Sequence, residues 1–334
     1  MFRLLKLFTL FLLGIACATT IAAPPTTDYS IIDSNALIRT APPELKSTGK
    51  RVPYGTIITV AEEKTVANKA YVRVHPQGNP KAEFGWIAKS NLGAAKEFDT
   101  NMRPEDAIAD GKMTYTEGVM AGLYHTRGKY FHEQAKALNT TPAVLAAVVK
   151  VECSGKGFNS DGSIVIRFEN HIFWERWGKA NKEKFQQHFA FSETKGWEGH
   201  QWRKKASDPW IACHKSQASE HEVLAFAKSL AEEAALNSAS YGAGQIMGFN
   251  HKAVGYNTAK EMVAKFDEGI KPQLDAMIAF IKGNKKCSEG LKNKDYVKFA
   301  EGYNGIGKAA EYAGLIVDAA TAYAKVAKGK KYAE

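Results

Sequence analysis

The chain changes character once, and that change limits the folds open to it. Between residues 28 and 93 the text is a series of short β-rich runs: Ala36 to Arg39, Thr56 to Val60, Tyr71 to Val74 and Phe84 to Ile87. Pro42, Pro43, Pro53, Gly55, Gly78 and Pro80 separate them as turn residues do. From Ala94 to about Lys112 the sequence is polar and aperiodic and reads as a linker. Beyond it the apolar residues take helical spacing. Thr141 and Pro142 are an N-cap and first helical residue, and Ser154 and Gly155 end that helix. Further helices are expected over Glu220 to Leu236, Lys260 to Phe266, Pro272 to Ile281, Asp295 to Glu301 and Ala309 to Val326. One stretch, Ser163 to Phe168, alternates and is β-branched, so a strand is expected there. The implied architecture is multidomain: a small all-β unit, then a mainly α domain with one small β element.

The first residues bear on the compartment. Arg3 and Lys6 flank an apolar run from Leu7 to Ala16, followed by small residues near Ala18 and Ala22. The run is too short to cross a bilayer and reads as a secretory signal peptide over residues 1–22. Acylation at Cys17 is the alternative, weakened by Gly14 where a bulky aliphatic residue is usual. No later stretch is apolar enough to span a membrane, so a periplasmic or secreted product is expected, with no integral membrane segment after signal removal.

The formal charge of +10 includes Arg3 and Lys6, which leaves 10 − 2 = +8 without them. Such a balance suits an acidic cell-wall polymer or anionic lipid, and export argues against nucleic acid. An ordinary solvated basic surface explains it equally well. Cys153, Cys213 and Cys287 follow the signal, an odd number that allows at most one internal disulfide. No metal-ligand spacing is evident, so neither a metal nor a cofactor is expected.

The residues that carry chemistry begin with Glu152. Leu145, Val148, Val149 and Glu152 fall at i, i+3, i+4 and i+7, on one helical face. A carboxyl group in line with a buried stripe, at the negative end of a helix, is held towards its protonated form. That is the state a general acid needs to protonate a glycosidic oxygen. The plain alternative is a glutamate that pairs with an arginine or caps a neighbouring segment. Sugar hydrolysis also requires a second carboxylate, and Glu169 lies 169 − 152 = 17 positions on, directly after the expected strand. Arg167 suits either acid as a partner. His171 either orients Glu169 or is a satisfied core histidine. Gly242 and Gly244 let backbone approach a ligand closely. Tyr303 and Asn304 offer ring stacking and amide hydrogen bonds to N-acetyl sugars. Trp174, Trp177, Trp197, Trp202 and Trp210 are either sugar platforms or core.

Two resemblances organise these residues. N-A-L-I-R-T-A-P, P-Y-G-T-I-I-T-V and G-W-I-A-K-S-N-L resemble a bacterial SH3-like domain over roughly 65 residues. This implies a small barrel at 23–93 that binds wall peptides or packs beside a catalytic domain. V-E-C-S-G-K-G-F, R-F-E-N-H-I-F, S-A-S-Y-G-A-G-Q-I-M-G-F-N-H and F-A-E-G-Y-N-G resemble the N-acetylmuramidase family of phage endolysins and bacterial lytic enzymes, from about Phe131 to Tyr323.

The second resemblance implies a lysozyme-like domain at 113–334 after a linker at 94–112. It also implies cleavage of the β-1,4 bond between N-acetylmuramic acid and N-acetylglucosamine in peptidoglycan glycan strands. The family's helix-end acid falls on Glu152 and its second acid on Glu169. Gln245, Met247, Tyr303 and Asn304 fall along the sugar groove, and Ser240 and His171 join them as substrate-binding candidates. Cys153 departs from the family, where a serine commonly follows the acid. An enzyme of this kind also needs control, which implies an immunity or inhibitor protein as a second partner.

Three rivals remain open. A lytic transglycosylase shares the fold but uses one glutamate and releases an anhydro product. An NlpC-type cysteine peptidase has a D-C-S-G motif, which E-C-S-G around Cys153 resembles, but a thiolate nucleophile wants the N-terminal end of a helix. A wall-binding protein without activity is the third.

Overall fold

The computed structural model describes residues 28–31, 36–52, 56–66, 69–79, 81–82, 84–94, 113–159 and 163–334. The expected signal peptide and most of the expected linker lie outside these residues.

The N-terminal unit is antiparallel. Its strands are β1 (Asp28–Ile31), β2 (Ala36–Arg39), β3 (Ser47–Val52), β4 (Ile57–Val66), β5 (Lys69–Pro76), β6 (Gly85–Ala88) and β7 (Leu92–Ala94). They lie in the order β3-β2-β6-β5-β4-β1-β7. The four runs expected from the sequence are β2, β4, β5 and β6. The longest pairing, β4 with β5, runs from Ile58 opposite Pro76 to Val66 opposite Lys69, with a bulge between Val60 and Glu62. Ile38, Val52, Ile58, Val72, Val74 and Ile87 form its core. Among the described residues β3 and β7 stand at the two edges and do not pair with each other. The unit is therefore an open sheet, where the sequence resemblance implied a closed barrel.

The remainder is mainly helical. In chain order it comprises α1 (Tyr115–Leu138), α2 (Pro142–Cys153), β8 (Ile166–Phe168), α3 (Asn170–Arg176), α4 (Lys182–His188), β9 (Phe189–Ala190), β10 (Gln201–Trp202) and β11 (Ile211–Ala212). There follow α5 (Gln217–Asn237), β12 (Ala239–Tyr241), β13 (Ile246–Met247), α6 (Ala259–Phe266), α7 (Ile270–Gly283), α8 (Lys285–Lys292), α9 (Tyr296–Tyr303) and α10 (Ala309–Ala327). The expected helices correspond to α2, α5, α6, α7, α9 and α10. The single small β element becomes two three-stranded sheets, β13-β12-β8 and β11-β10-β9.

Helix α2 is the centre of this domain. Thr141 caps its first turn through Val144 N–H, and Ser154 closes it in the left-handed region at φ 54°. Every residue from Pro142 to Val149 is buried, with α1 and α10 packed against the helix. The single apolar face read from the spacing is thus one side of a helix that is apolar all round. Burying Val144, Leu145, Val148 and Val149 contributes about 1.5–3 kcal/mol each, so α2 is a fixed reference for whatever its end carries.

Strand β8 is held from both sides. One edge pairs with β12, Arg167 opposite Ser240 and Phe168 opposite Ala239. Along the other edge no strand pairs among the described residues; side chains of α5 take its place. Gln217 Oε1 accepts from Ile166 N–H, and its Nε2 donates to Ile166 C=O. Glu220 Oε2 accepts from Phe168 N–H. Two residues one helical turn apart therefore satisfy backbone groups that burial would otherwise leave unpaired.

Candidate active site

Glu152 occupies the last turn of α2, where the buried helix emerges. Its carboxyl accepts a hydrogen bond from Asn304 Nδ2 at 2.9 Å. No lysine or arginine pairs with it among the described residues, which removes the ion-pair alternative. Burial pushes its pKa up to about 7, against a smaller lowering from the Asn304 amide. A carboxyl group with that value is about half protonated at neutral pH and keeps its proton in mildly acidic solution.

The groups around it come from the motif blocks. Tyr303, at the end of α9, stacks on Phe299 and donates its hydroxyl to Gly244 C=O at 2.7 Å. That bond ties the Asn304 turn to the glycine-rich turn between β12 and β13. Gly242 has φ 74°, and a Cβ there would meet the Gln273 side chain at 2.6 Å; at Gly244 it would meet Met277 Cβ at 2.9 Å. The close approach that these glycines permit is therefore to α7, not to a ligand. Gln273, fully buried, accepts from Ala243 N–H and donates to Phe266 C=O, and so fixes the same turn.

Gln245 also serves this turn. It sits at φ 45°, donates to Gly242 C=O and accepts from Ser240 Oγ at 2.7 Å. Its amide and the Ser240 hydroxyl are thus committed to each other. Met247 lies opposite Ser240 on β13 and is partly exposed.

Glu169 follows β8 directly, with its N–H donated to Ser238 C=O at 2.8 Å. Its Oε1 accepts from Arg167 Nε at 2.8 Å. Arg167 is thus its partner. Its Oε2 lies 3.5 Å from His171 Nδ1 and 3.3 Å from His200 Nδ1. His171 Nδ1 is buried without a hydrogen-bond partner, so His171 is not a satisfied core histidine. Burial lowers the pKa of both imidazoles, against the opposing pull of Glu169.

Several residues at the site carry no sequence signal of their own. His200 and Glu220, both buried, are linked through half-buried His214, His214 Nε2 to His200 Nδ1 at 3.1 Å and His214 Nδ1 to Glu220 Oε1 at 2.7 Å. Tyr312, in the first turn of α10, has its pKa raised by burial and by Glu152, and lowered by Arg167. Its hydroxyl therefore lies in the field of Glu152 and of the cation bound to Glu169. The tryptophans divide: Trp202 is buried, Trp177 stacks on Phe173 and Trp174 packs edge-on to Phe185. Trp197 and Trp210 are exposed, the latter beneath the Arg203 guanidinium at 4.2 Å.

Cys153 is not a nucleophile in this setting. Its thiol donates to Val149 and Ala243 carbonyls at 3.2 Å each. Burial, then the Glu152 charge, pushes its pKa up to about 12.

A family model described as N-acetylmuramidase matches residues 141–325, more than half of the chain. The chain belongs to the N-acetylmuramidase family. The match opens on the N-cap of α2 and closes near the end of α10, so it contains both acids and excludes the N-terminal sheet. As a muramidase the chain is a glycoside hydrolase that acts on peptidoglycan. Among solved structures, a Burkholderia AP3 phage endolysin is similar at 29% identity, covering 60% of this chain and 71% of that one, with a TM-score of 0.47. No curated protein matches. Among the described residues no helix is long and apolar enough to cross a membrane.

Proposed function

We propose that this muramidase hydrolyses the β-1,4 bond between N-acetylmuramic acid and N-acetylglucosamine, with Glu152 as general acid and Glu169 as the second carboxylate. The observation that carries the reading is the state of Glu152. It is a carboxyl group raised to about 7 by burial at the mouth of a rigid helix, with only a neutral amide bonded to it. It gives its proton to the departing glycosidic oxygen as that bond breaks. Asn304 aims the carboxyl, and Tyr303 fixes the turn that bears Asn304. Glu169, ion-paired with Arg167 on β8, meets the positive charge that develops at the anomeric carbon and assists water in completing the exchange. Ser240 and Gln245 shape the turn beside the groove, and Met247 lines it. The enzyme acts on the wall, in the periplasm or outside the cell, to which a signal peptide over residues 1–22 directs it.

Mass spectrometry of the fragments released from purified sacculi tests the reaction. Hydrolysis yields reducing muramic ends. Fragments lighter by one water, the anhydro product of a transglycosylase, would overturn it.

A further inference from the structure

Around Glu169 the protein assembles groups that acid–base chemistry leaves unused. Oε1 is occupied by Arg167, but Oε2 is buried and accepts no hydrogen bond. Beside it, His171 Nδ1 is buried and unpartnered as well. Leaving such groups open costs the full desolvation of each one, so a cluster of them calls for an occupant. The tautomer of His200 sharpens the point. Its Nε2 lies 2.8 Å from Gly196 C=O, a contact that only a ring N–H satisfies. In the neutral ring Nδ1 is then a lone pair, set against a carboxylate oxygen. Oε2 and the two Nδ1 atoms all lie within 4.8 Å of one another.

We propose that Glu169, His171 and His200 bind a divalent transition-metal ion of the zinc class. Ligands bound at 2.0–2.1 Å to a tetrahedral zinc stand about 3.3–3.4 Å apart. The two oxygen–nitrogen separations here are 3.3 and 3.5 Å. Two imidazoles with one carboxylate favour zinc over calcium or magnesium, which take oxygen ligands. Three protein ligands leave a fourth position for water. Outer-shell bonds of the kind that orient metal ligands are already in place: Gly196 C=O on His200 Nε2 and Arg167 on Glu169 Oε1. His214 is the group that yields. Its Nε2 contacts His200 Nδ1 at 3.1 Å, and on loading it gives up that contact while keeping Glu220.

An ion bound to Oε2 engages the carboxylate assigned above as the second acid, so occupancy slows glycan cleavage. This braking effect rests on the proposed role of Glu169; the binding of the ion does not.

Isothermal titration of the full chain with zinc chloride tests the site, using Glu152→Gln so that binding is read without turnover. One ion per chain is expected, with affinity weakened at least about tenfold in His171→Gln and Glu169→Gln. His171 is partly exposed, so its variant keeps the test valid if a buried-site variant fails to fold. Absence of zinc uptake, or uptake unchanged in both variants, overturns the site. Zinc is also expected to slow sacculus lysis by the unaltered enzyme at least tenfold, with recovery on adding chelator. Uptake with unaltered lysis would keep the site and overturn the brake.

Discussion

Glu152 stands at the end of a helix that is apolar all round and meets one neutral amide, whereas Glu169 stands at the end of a strand and meets a guanidinium and two imidazoles. The side chains are chemically the same. What differs is the element that carries each one. Helix α2 is buried for packing and delivers its last carboxyl group into a poorly solvated mouth, where the proton is retained. Strand β8 is fixed by Gln217 and Glu220 and sets the following carboxylate beside Arg167 of the strand, His171 of α3 and His200 of a loop. The two roles proposed for these carboxyl groups thus rest on two kinds of support, and substitutions that exchange or weaken these surroundings separate them.

The largest expected effect is on the acid. Glu152→Gln should lower sacculus lysis by about 10²–10⁴-fold, the usual contribution of a positioned proton donor. Retention of lysis would end the assignment. Glu169→Gln should cost less, near 10²-fold, because Arg167 and the imidazoles still offer charge and hydrogen bonds beside the groove. Equal losses in the two variants would blur the contrast drawn here.

The same contrast predicts a gain in stability. The Glu152 pKa rises from 4.5 to about 7 on folding. Its contribution is fully present below pH 4.5 and is lost as pH rises through about 7. Glu152→Gln should therefore match the parent near pH 4 and exceed it at pH 8. A shift of this size corresponds to roughly 3 kcal/mol, discounted to on the order of 2 kcal/mol for partial exposure. Urea unfolding at both pH values reads this difference. The smallest effect belongs to Cys153→Ser, which keeps a donor for the Val149 and Ala243 carbonyls and should leave lysis within about twofold.

Much of this arrangement was legible in the residue order. Thr141, Pro142, Ser154 and Gly155 delimit α2 through their backbone preferences alone, and the ordered blocks bring Glu152, Gly244 and Asn304 together. Of the histidines only His171 was legible. His200 and His214 lie 200 − 169 = 31 and 214 − 169 = 45 residues beyond Glu169, in loops without periodicity. Their meeting depends on strands of two residues, below the length at which alternation can be recognised. Helix α1 was not delimited because Gly118, Gly122 and Gly128 dilute the stripe of Met120, Leu123, Phe131, Ala135 and Leu138. Gly242 and Gly244 suggested ligand contact, but fully buried Gln273 claims the space above Gly242. A glycine signals close approach without naming what approaches.

The central claim is that burial, and not a charged partner, makes Glu152 an acid. The pH dependence of kcat/KM tests it most directly, because that profile reports ionisations of the free enzyme. The alkaline limb should fall with an apparent pKa near 7, and Asn304→Ala, which removes the bond that stabilises the ionised carboxylate, should move it upwards. A limb that stays flat to pH 9, or that moves downwards in Asn304→Ala, would contradict the account.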